Sequence, residues 1–569
     1  MKLTLNPYHN YLEIKSQIYL NKLKDCEKLQ NKLFSQIIKT NKNSSYGKQN
    51  NFKKIKTIQD FQNIVPIVDY EQLKKFIDTE KNKNHPKSIL SDIVDYFAIT
   101  SGTTNTPKFL PHTKEYIKKR QISWEIWNHS IYNERPITYS LFGSILAFTS
   151  KSFDGFTKSH IKYGSVSGRI HDLQPVFVKQ LFAVPDRVAE VDNFETKYYL
   201  NALFSVRKNL TFIATPNPST ILIYSKTIME NIDQIIKDLE SNNIEIFQND
   251  NSTSFELRND LLNEFKKDKK LNLKTAQRLK ELKHKNQIKP KYIFSNLQTI
   301  GCWTKGHVNI YLKELIKQFG KKVMIRELGY MASEGRFSIP IETKSNGEGV
   351  LDIDTNFYEF IKVQEYENKN PKIYLAHQVQ PGQKYYMMIT NENGLYRYDL
   401  NDIIEVTGYF ENSKTPMITF IQKGKYFSSI TGEKVSEWEI NHCIQKLQKI
   451  NSEIHLKTFF VLPNIDIKNA NYNFYIEFEK NPTKTQITQF EKILEKELQS
   501  ENIEYKEKRE SKRLKSIKII LLPKHSVEKI KTAFGEGRTN DAQIKEPKLI
   551  VLDKDKQIIE RFISKHKIK

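Results

Sequence analysis

Residues 96–108 read Tyr-Phe-Ala-Ile-Thr-Ser-Gly-Thr-Thr-Asn-Thr-Pro-Lys, an apolar run that breaks into a hydroxyl-rich loop ending on a lysine. This pattern predicts a buried strand over Tyr96, Phe97 and Ile99 that delivers Thr100, Ser101, Thr103 and Thr104 to a tight turn around Gly102. A loop of that kind presents backbone N–H groups and hydroxyls to a small oxygen-rich anion, and Lys108 adds positive charge. It can hold a nucleotide phosphate. The G-x-x-x-x-G-K spacing of a Walker loop is absent, so any nucleotide is held in another way. The plainer alternative is a surface turn after a core strand.

Partners for this loop lie further along. Residues 329–335 read Gly-Tyr-Met-Ala-Ser-Glu-Gly and follow the strand-like Val323-Met324-Ile325. Residues 394–402 read Gly-Leu-Tyr-Arg-Tyr-Asp-Leu-Asn-Asp, and Gly432-Glu433-Lys434 comes after them. Ser45-Tyr46-Gly47, Val65-Pro66, Tyr163 to Gly168, Trp303 to Gly306, Asn502 to Arg509 and Asp541 to Pro547 complete an ordered set. Together these resemble the adenylate-forming enzymes, and most closely the auxin-responsive Gretchen Hagen family of acyl-acid amido synthetases. The likeness covers nearly the whole chain.

The resemblance implies ATP-dependent adenylation of a carboxylic acid, then transfer of the acyl group to an amine such as an amino acid. Carboxylate oxygen is a poor leaving group, whereas the AMP of an acyl-AMP departs readily. By the same resemblance, Thr100, Ser101, Gly102, Thr103, Thr104 and Lys108 line the phosphates, Tyr330 packs on the adenosine and Ser333 donates to a phosphate. Glu334 is a hard oxygen ligand suited to Mg2+. Asp402 accepts both ribose hydroxyls, with Arg397 in the same nucleotide set. Lys434 reaches the α-phosphate, where a preorganised cation is most useful, and Lys545 enters from a small C-terminal domain. The resemblance also leaves a thiol acceptor such as coenzyme A, or a silent nucleotide- or polyanion-binding homologue, as other readings.

Each residue has a structural alternative. Asp402 can cap the chain before the strand-like Ile403 to Val406, with Arg397 as its ion-pair partner. Glu334 and Arg336 can form a solvated pair. Lys434 and Lys545 are two lysines among very many. Asn105 and Asn401 stand where the family usually has glycine; Asn is the side chain that best tolerates positive φ, so both loops can keep their shape.

The 569 residues, 38% hydrophobic and 27% charged, describe a globular chain with room for more than one domain. No apolar run approaches the 18 or more residues of a membrane span, and the N-terminal residues carry no secretory apolar stretch. Cys26, Cys302 and Cys443 are too few and too scattered for a disulfide framework or a zinc cluster; the expected setting is the cytoplasm. The formal charge of +24 invites a nucleic-acid reading. Yet the basic stretches 266–291 and 506–518 lack interleaved aromatics, and the Lys, Asn and Ile enrichment runs throughout, as in the proteins of an AT-rich genome. No nucleic-acid partner is expected.

The fold class expected is α/β. A large mixed α/β adenylation domain spans 1–425 and a smaller α+β domain spans 426–569; the resemblance implies that the smaller one is a lid that swings between the half-reactions. Leu23, Cys26, Leu29, Leu33 and Ile37 fall at helical spacing, predicting one long N-terminal helix. Phe212-Ile213-Ala214 and Tyr292-Ile293-Phe294 read as strands. Ser436 to Glu439 is a capping box opening a helix, and after it come two strands, a helix and a strand. Trp124, Trp127 and Tyr132 either line an acid pocket, with residues 116–142 and 163–168, or belong to the core.

Overall fold

The computed structural model describes residues 6–100, 108–140, 142–342, 347–424, 427–428, 430–431, 433, 435–451, 454–466, 469–510, 514–535 and 546–568. The chain forms two compact units: Met1–Thr304, Leu312–Leu400 and Ile404–Thr419 in one, and Lys305–Tyr311, Asn401–Ile403 and Phe420–Lys569 in the other. The larger unit thus ends a few residues before position 425, and two short stretches of its sequence group with the smaller one.

Three sheets build the larger unit. Ser144–Ala147, Leu210–Ala214, Thr299–Cys302 and Met324–Glu327 pair in that order, all parallel. Helices Phe194–Ser205, Pro218–Glu230 and Ile232–Ser241 supply Leu200, Ile221, Tyr224 and Ile235 to the core packed with this sheet, each wholly buried. Strands buried among helices need no polar face, which is why these segments read as continuous apolar runs. A second sheet orders Lys108–His112, Tyr96–Thr100, Lys162–Gly164 and Gly155–Phe156. The third is a seven-stranded sheet with Asn356–Lys362 and Lys384–Asn391 paired antiparallel, Asn356 opposite Asn391 and Lys362 opposite Tyr385.

The single N-terminal helix expected from periodicity is two, Asn6–Lys22 and Cys26–Asn41. Asp25 breaks it: its side chain accepts from Lys28 N at 3.1 Å and caps the second helix. Leu23 stays fully buried across the break, so the apolar stripe continues where the hydrogen bonds do not. Tyr292-Ile293-Phe294 is also not a strand. Pro290, at the first helical position, opens the short helix Pro290–Ile293, and Ile293 and Phe294 are buried there all the same.

In the smaller unit, Asn471–Phe478 lies between Leu456–Asn464 (antiparallel) and Lys518–Leu521 (parallel). Tyr472, Phe474, Ile476 and Phe478 face a core with helices Glu437–Ile450 and Lys484–Glu501, and Ser436 caps the first of these with the expected box. The alternate residues Phe460 and Tyr475 face a second core with Ser526–Gly535 and Asp553–Lys565. The α-β-β-α-β reading lacked those helices, which the apolar second face of the strands requires.

Tyr19 on the first helix donates to Asp352 Oδ1 at 3.0 Å, and Ser123 donates to Oδ2 at 2.5 Å. Burial pushes the Asp352 carboxyl up to about 6, against the pull of those hydroxyls. The folded chain therefore holds this proton between the ordinary carboxylate value and about pH 6, where the unfolded chain has lost it. That contribution is complete below the unfolded value and is lost as pH rises through about 6, amounting to about 3 kcal/mol. Urea unfolding should accordingly show the parent losing about 2–3 kcal/mol relative to Asp352→Asn between pH 4 and pH 7. A difference that stays constant with pH would mean that Asp352 is ionised throughout.

Candidate functional site

In open parallel sheets, ligands gather outside the carboxyl ends of the strands. Here the strand Met324–Glu327 ends in the turn that the sequence singled out. Gly329 takes φ +85°, and a Cβ there would stand 2.4 Å from Ser338 O, so glycine is required on two counts. The Glu327 carboxylate accepts from Gly329 N at 2.9 Å, and from Thr304 N and Oγ1 at 2.7 and 2.6 Å. Burial pushes its pKa up, while these donors pull it back. Trp303 Nε1 donates to Gly329 O at 3.0 Å.

The outer part of the turn is held by its carbonyls. Arg120 donates to Ala332 O at 2.9 Å and to Ser333 O at 3.3 Å, and Tyr116 Oη donates to Glu334 O at 3.0 Å. Tyr116 and Arg120 lie one helical turn apart on Lys114–Glu134 and so present one face. Burial, with the nearby Arg120 charge, drives the His112 pKa down to about 3 against the pull of a hydrogen bond to the backbone of Ser333, so it stands there neutral. With three successive carbonyls engaged by the helix, Glu334 keeps a half-buried carboxylate that makes no hydrogen bond or ion pair with any described residue. Ser333 is half-buried beside it, and Tyr330 is buried with its ring 4.8 Å from Phe337.

The solvated Glu334–Arg336 pair does not form. Arg336 is sealed in the core, where it donates to Leu328 O at 2.7 Å and Ser338 O at 3.3 Å, with its guanidinium 4.4 Å from the Trp124 ring centroid. Burial lowers its pKa to about 9, against the pull of Asp352. Trp127, 1% exposed, donates from Nε1 to Glu327 O at 2.8 Å, and Tyr132 is buried too, so both belong to the core.

The strands Tyr96–Thr100 and Lys108–His112 pair antiparallel with Thr100 opposite Lys108. Ser101, Gly102, Thr103, Thr104 and Asn105, which connect them, lie outside the described residues, as does the Thr100 side chain. Lys108 Nζ sits 5.3 Å from the centroid of the Tyr70 ring. Tyr96–Thr100 also runs parallel to Lys162–Gly164, after which Ser165 caps Val166–Asp172 by accepting from Gly168 N at 3.0 Å. A cleft of about 370 Å³ opens beside Lys151, Ser152 and Phe153, and none of the expected site residues lines it.

Arg397 uses Nε and Nη1 within the larger unit, and its Nη2 is buried without a hydrogen-bond partner among the described residues. It takes φ +46° and donates to Glu359 Oε2 at 2.9 Å, Gln62 O at 3.0 Å and Val65 O at 2.7 Å. These bonds tie the 394–400 segment to the 62–65 segment and to Glu359. In the smaller unit, Asn401 takes φ +52°, the conformation glycine usually supplies, and Gly424 N donates to its carbonyl at 2.8 Å. Asp402, next to it, is 2% exposed. Lys434 and Lys545 lie outside the described residues.

His112 and Glu327 were not singled out by sequence, and Tyr116 and Arg120 entered only as part of the 116–142 stretch expected to line an acid pocket, not as supports of the turn. The available signal was polar residues on otherwise apolar elements: Arg120 on a buried helix face and Glu327 closing a core strand.

Comparison with known proteins accords with this architecture. Residues 16–324 match the GH3 family N-terminal domain, 349–423 the GH3 family central domain and 438–553 the GH3 family C-terminal domain. Jasmonoyl–L-amino acid synthetase JAR4 of Nicotiana attenuata is 21% identical over 474 residues, which is 80% of each chain. The 4-substituted benzoates–glutamate ligase GH3.12 of Arabidopsis thaliana is 24% identical over 38% of each. Among solved structures, AtGH3.15 acyl acid amido synthetase in complex with 2,4-DB superposes with a TM-score of 0.82 at 17% identity, over 96% of this chain and 95% of that one. The chain belongs to the GH3 family, the acyl-acid amido synthetases that its motifs resemble.

Proposed function

We propose that this chain joins a small carboxylic acid to the amine of an amino acid in two half-reactions. In the first, a carboxylate oxygen attacks the α-phosphorus of ATP and pyrophosphate leaves. In the second, the amine nitrogen attacks the acyl-AMP carbonyl carbon, AMP departs with the bonding electrons, and the nitrogen gives up a proton. The observation that supports this best is the 329–335 turn, held by its carbonyls so that the Glu334 carboxylate makes no hydrogen bond or ion pair among the described residues. Relatives are named for jasmonoyl, indole-3-acetic acid and 4-substituted benzoate substrates. We take an acid with an apolar body as the substrate class here.

Within that reading, Ser101, Thr103, Thr104 and Lys108 hold the phosphates, Ser333 donates to one of them, Tyr330 borders the adenosine and Asp402 holds the ribose. Glu334 would hold Mg2+, whose preference for one or two carboxylates plus phosphate oxygens suits a half-buried carboxylate. Bound there, the ion would neutralise triphosphate charge. Arg120, Tyr116 and His112 position the turn rather than touch the nucleotide. Lys434 serves the α-phosphate. Residues 426–569 act as a lid bringing Lys545, which keeps water from the acyl-AMP until the amine arrives.

ATP–pyrophosphate exchange with a panel of acids tests adenylation. Mass spectrometry after addition of amino acids or coenzyme A then separates amide from thioester formation. An acid that supports exchange and yields only a thioester would replace the amine by a thiol; no exchange with any acid would favour a silent homologue.

Three variants probe the roles. Glu334→Gln should raise the Mg2+ concentration needed for exchange by about 10-fold or more while leaving the melting temperature close to the parent's; superimposable Mg2+ titrations would remove Glu334 from the metal. Arg120→Met frees two carbonyls and should lower exchange by about 100-fold, the scale set by an ångström of misplacement, with a stability cost of about 2–4 kcal/mol. Unchanged exchange would show that the turn holds itself. Lys434→Ala should slow adenylation by about 100-fold with far less effect on ATP affinity, because a cation at the α-phosphate counts most where charge develops. A rate within threefold of the parent's would reduce Lys434 to a solvated lysine.

A further inference from the structure

The Asn6–Lys22 helix runs antiparallel along Lys114–Glu134. Going up the first and down the second, His9 stacks on Tyr132 with centroids 4.0 Å apart, Lys15 pairs with Glu125 at 2.6 Å, and Tyr19 and Ser123 meet on Asp352. His9 and Glu13 are one helical turn apart and so share a face. His129, 4% exposed, meets that face: its Nε2 lies 2.7 Å from Glu13 Oε2, and its ring centroid is 5.3 Å from that of His9. One ligand atom from each of His9, Glu13 and His129 falls within 4.8 Å of the other two. His9 Nδ1 is buried and has no hydrogen-bond partner. No step of the amide-forming reaction uses these three residues, so a role for them is independent of acyl transfer.

We propose that His9, Glu13 and His129 form a binding site for a divalent transition-metal cation, zinc being the ion the set fits best. Two imidazole nitrogens and one carboxylate are zinc's own ligand types, and a fourth position remains for water. Calcium and magnesium, which take oxygen ligands, are disfavoured by the same set. In a tetrahedral site with bonds of about 2.0–2.1 Å, neighbouring ligand atoms stand about 3.3 Å apart; small side-chain rotations bring the three atoms to that spacing. The ligands come with an orienting partner: Gln17 Nε2 donates to the other oxygen of Glu13, Oε1, at 3.1 Å. A bound ion fastens the first helix of the chain to the helix that carries Tyr116 and Arg120.

The test uses the full-length protein, stripped with a chelator and dialysed free of it. Calorimetric titration with Zn2+ should show about one tight ion per chain, and Co2+ should give the visible absorption of a four-coordinate site. Glu13→Gln and His9→Gln alter half-buried or exposed positions, and both should keep the parent's circular dichroism and metal-free melting temperature. Each should lose affinity by about 100-fold or more, since losing even an outer-shell partner costs 10–100-fold. The parent's melting temperature, and not the variants', should rise on adding Zn2+. A parent that takes up no Zn2+, or variants that bind it as the parent does, would overturn the site and leave a His129–Glu13 hydrogen bond with His9 stacked beside it.

Discussion

A tight turn buried against a helix must dispose of its carbonyls, and that requirement governs the larger unit. The peptide oxygens of Leu328, Ala332, Ser333, Glu334 and Ser338 are all taken by just three side chains, Arg336, Arg120 and Tyr116. Two of those are buried guanidiniums, and a buried charge is tolerable only when neighbours compensate for lost water. Trp124 gives Arg336 its π face, and Asp352 supplies opposite charge. Asp352 is in turn fixed by Tyr19 and Ser123. The turn that presents Ser333 and Glu334 is thus the outermost member of a chain of compensated polar groups.

That chain explains what the sequence could and could not disclose. Local signals transferred well. Val323 to Ile325 leads into the strand Met324–Glu327, Gly329 has the positive φ that its turn requires, and Ser436 caps its helix. Asn401 adopts a left-handed conformation because that preference resides in the residue itself. Pairings between distant segments were invisible. Arg336 looks like a surface residue beside Glu334, and only the approach of Trp124, some 200 positions earlier, makes it a core residue. Arg397 likewise finds Glu359, Gln62 and Val65, none of them a neighbour in sequence. Periodicity misled at Asp25 and Pro290 because it measures which residues are buried, not which hydrogen bonds are made.

The smaller unit shows the same distinction in a sheet. Alternation along Asn471–Phe478 announced one apolar face, and the helices Glu437–Ile450 and Lys484–Glu501 meet it. Phe460 and Tyr475 stack at 4.7 Å on the opposite face, under helices whose own apolar stripes were not read from sequence. Buried cations recur here: Lys548, 1% exposed, lies 3.2 Å from Glu546 and keeps a raised pKa because Tyr311 and Glu546 outweigh its desolvation. Both units thus place basic side chains inside, so the excess positive charge of the chain is not a purely surface property.

The helix Lys114–Glu134 has one more consequence. Its first two turns grip the 329–335 turn through Tyr116 and Arg120, its middle carries Trp124, Glu125 and Trp127, and its last turns carry His129 and Tyr132, with Glu125, His129 and Tyr132 meeting the Asn6–Lys22 helix. The Asn6–Lys22 helix is remote in sequence from the 329–335 turn, yet it shares a rigid beam with it. An expression tag, a truncation or a fusion that disturbs the first two dozen residues therefore loads the far end of that beam and strains the 329–335 turn even when every residue of that turn is intact.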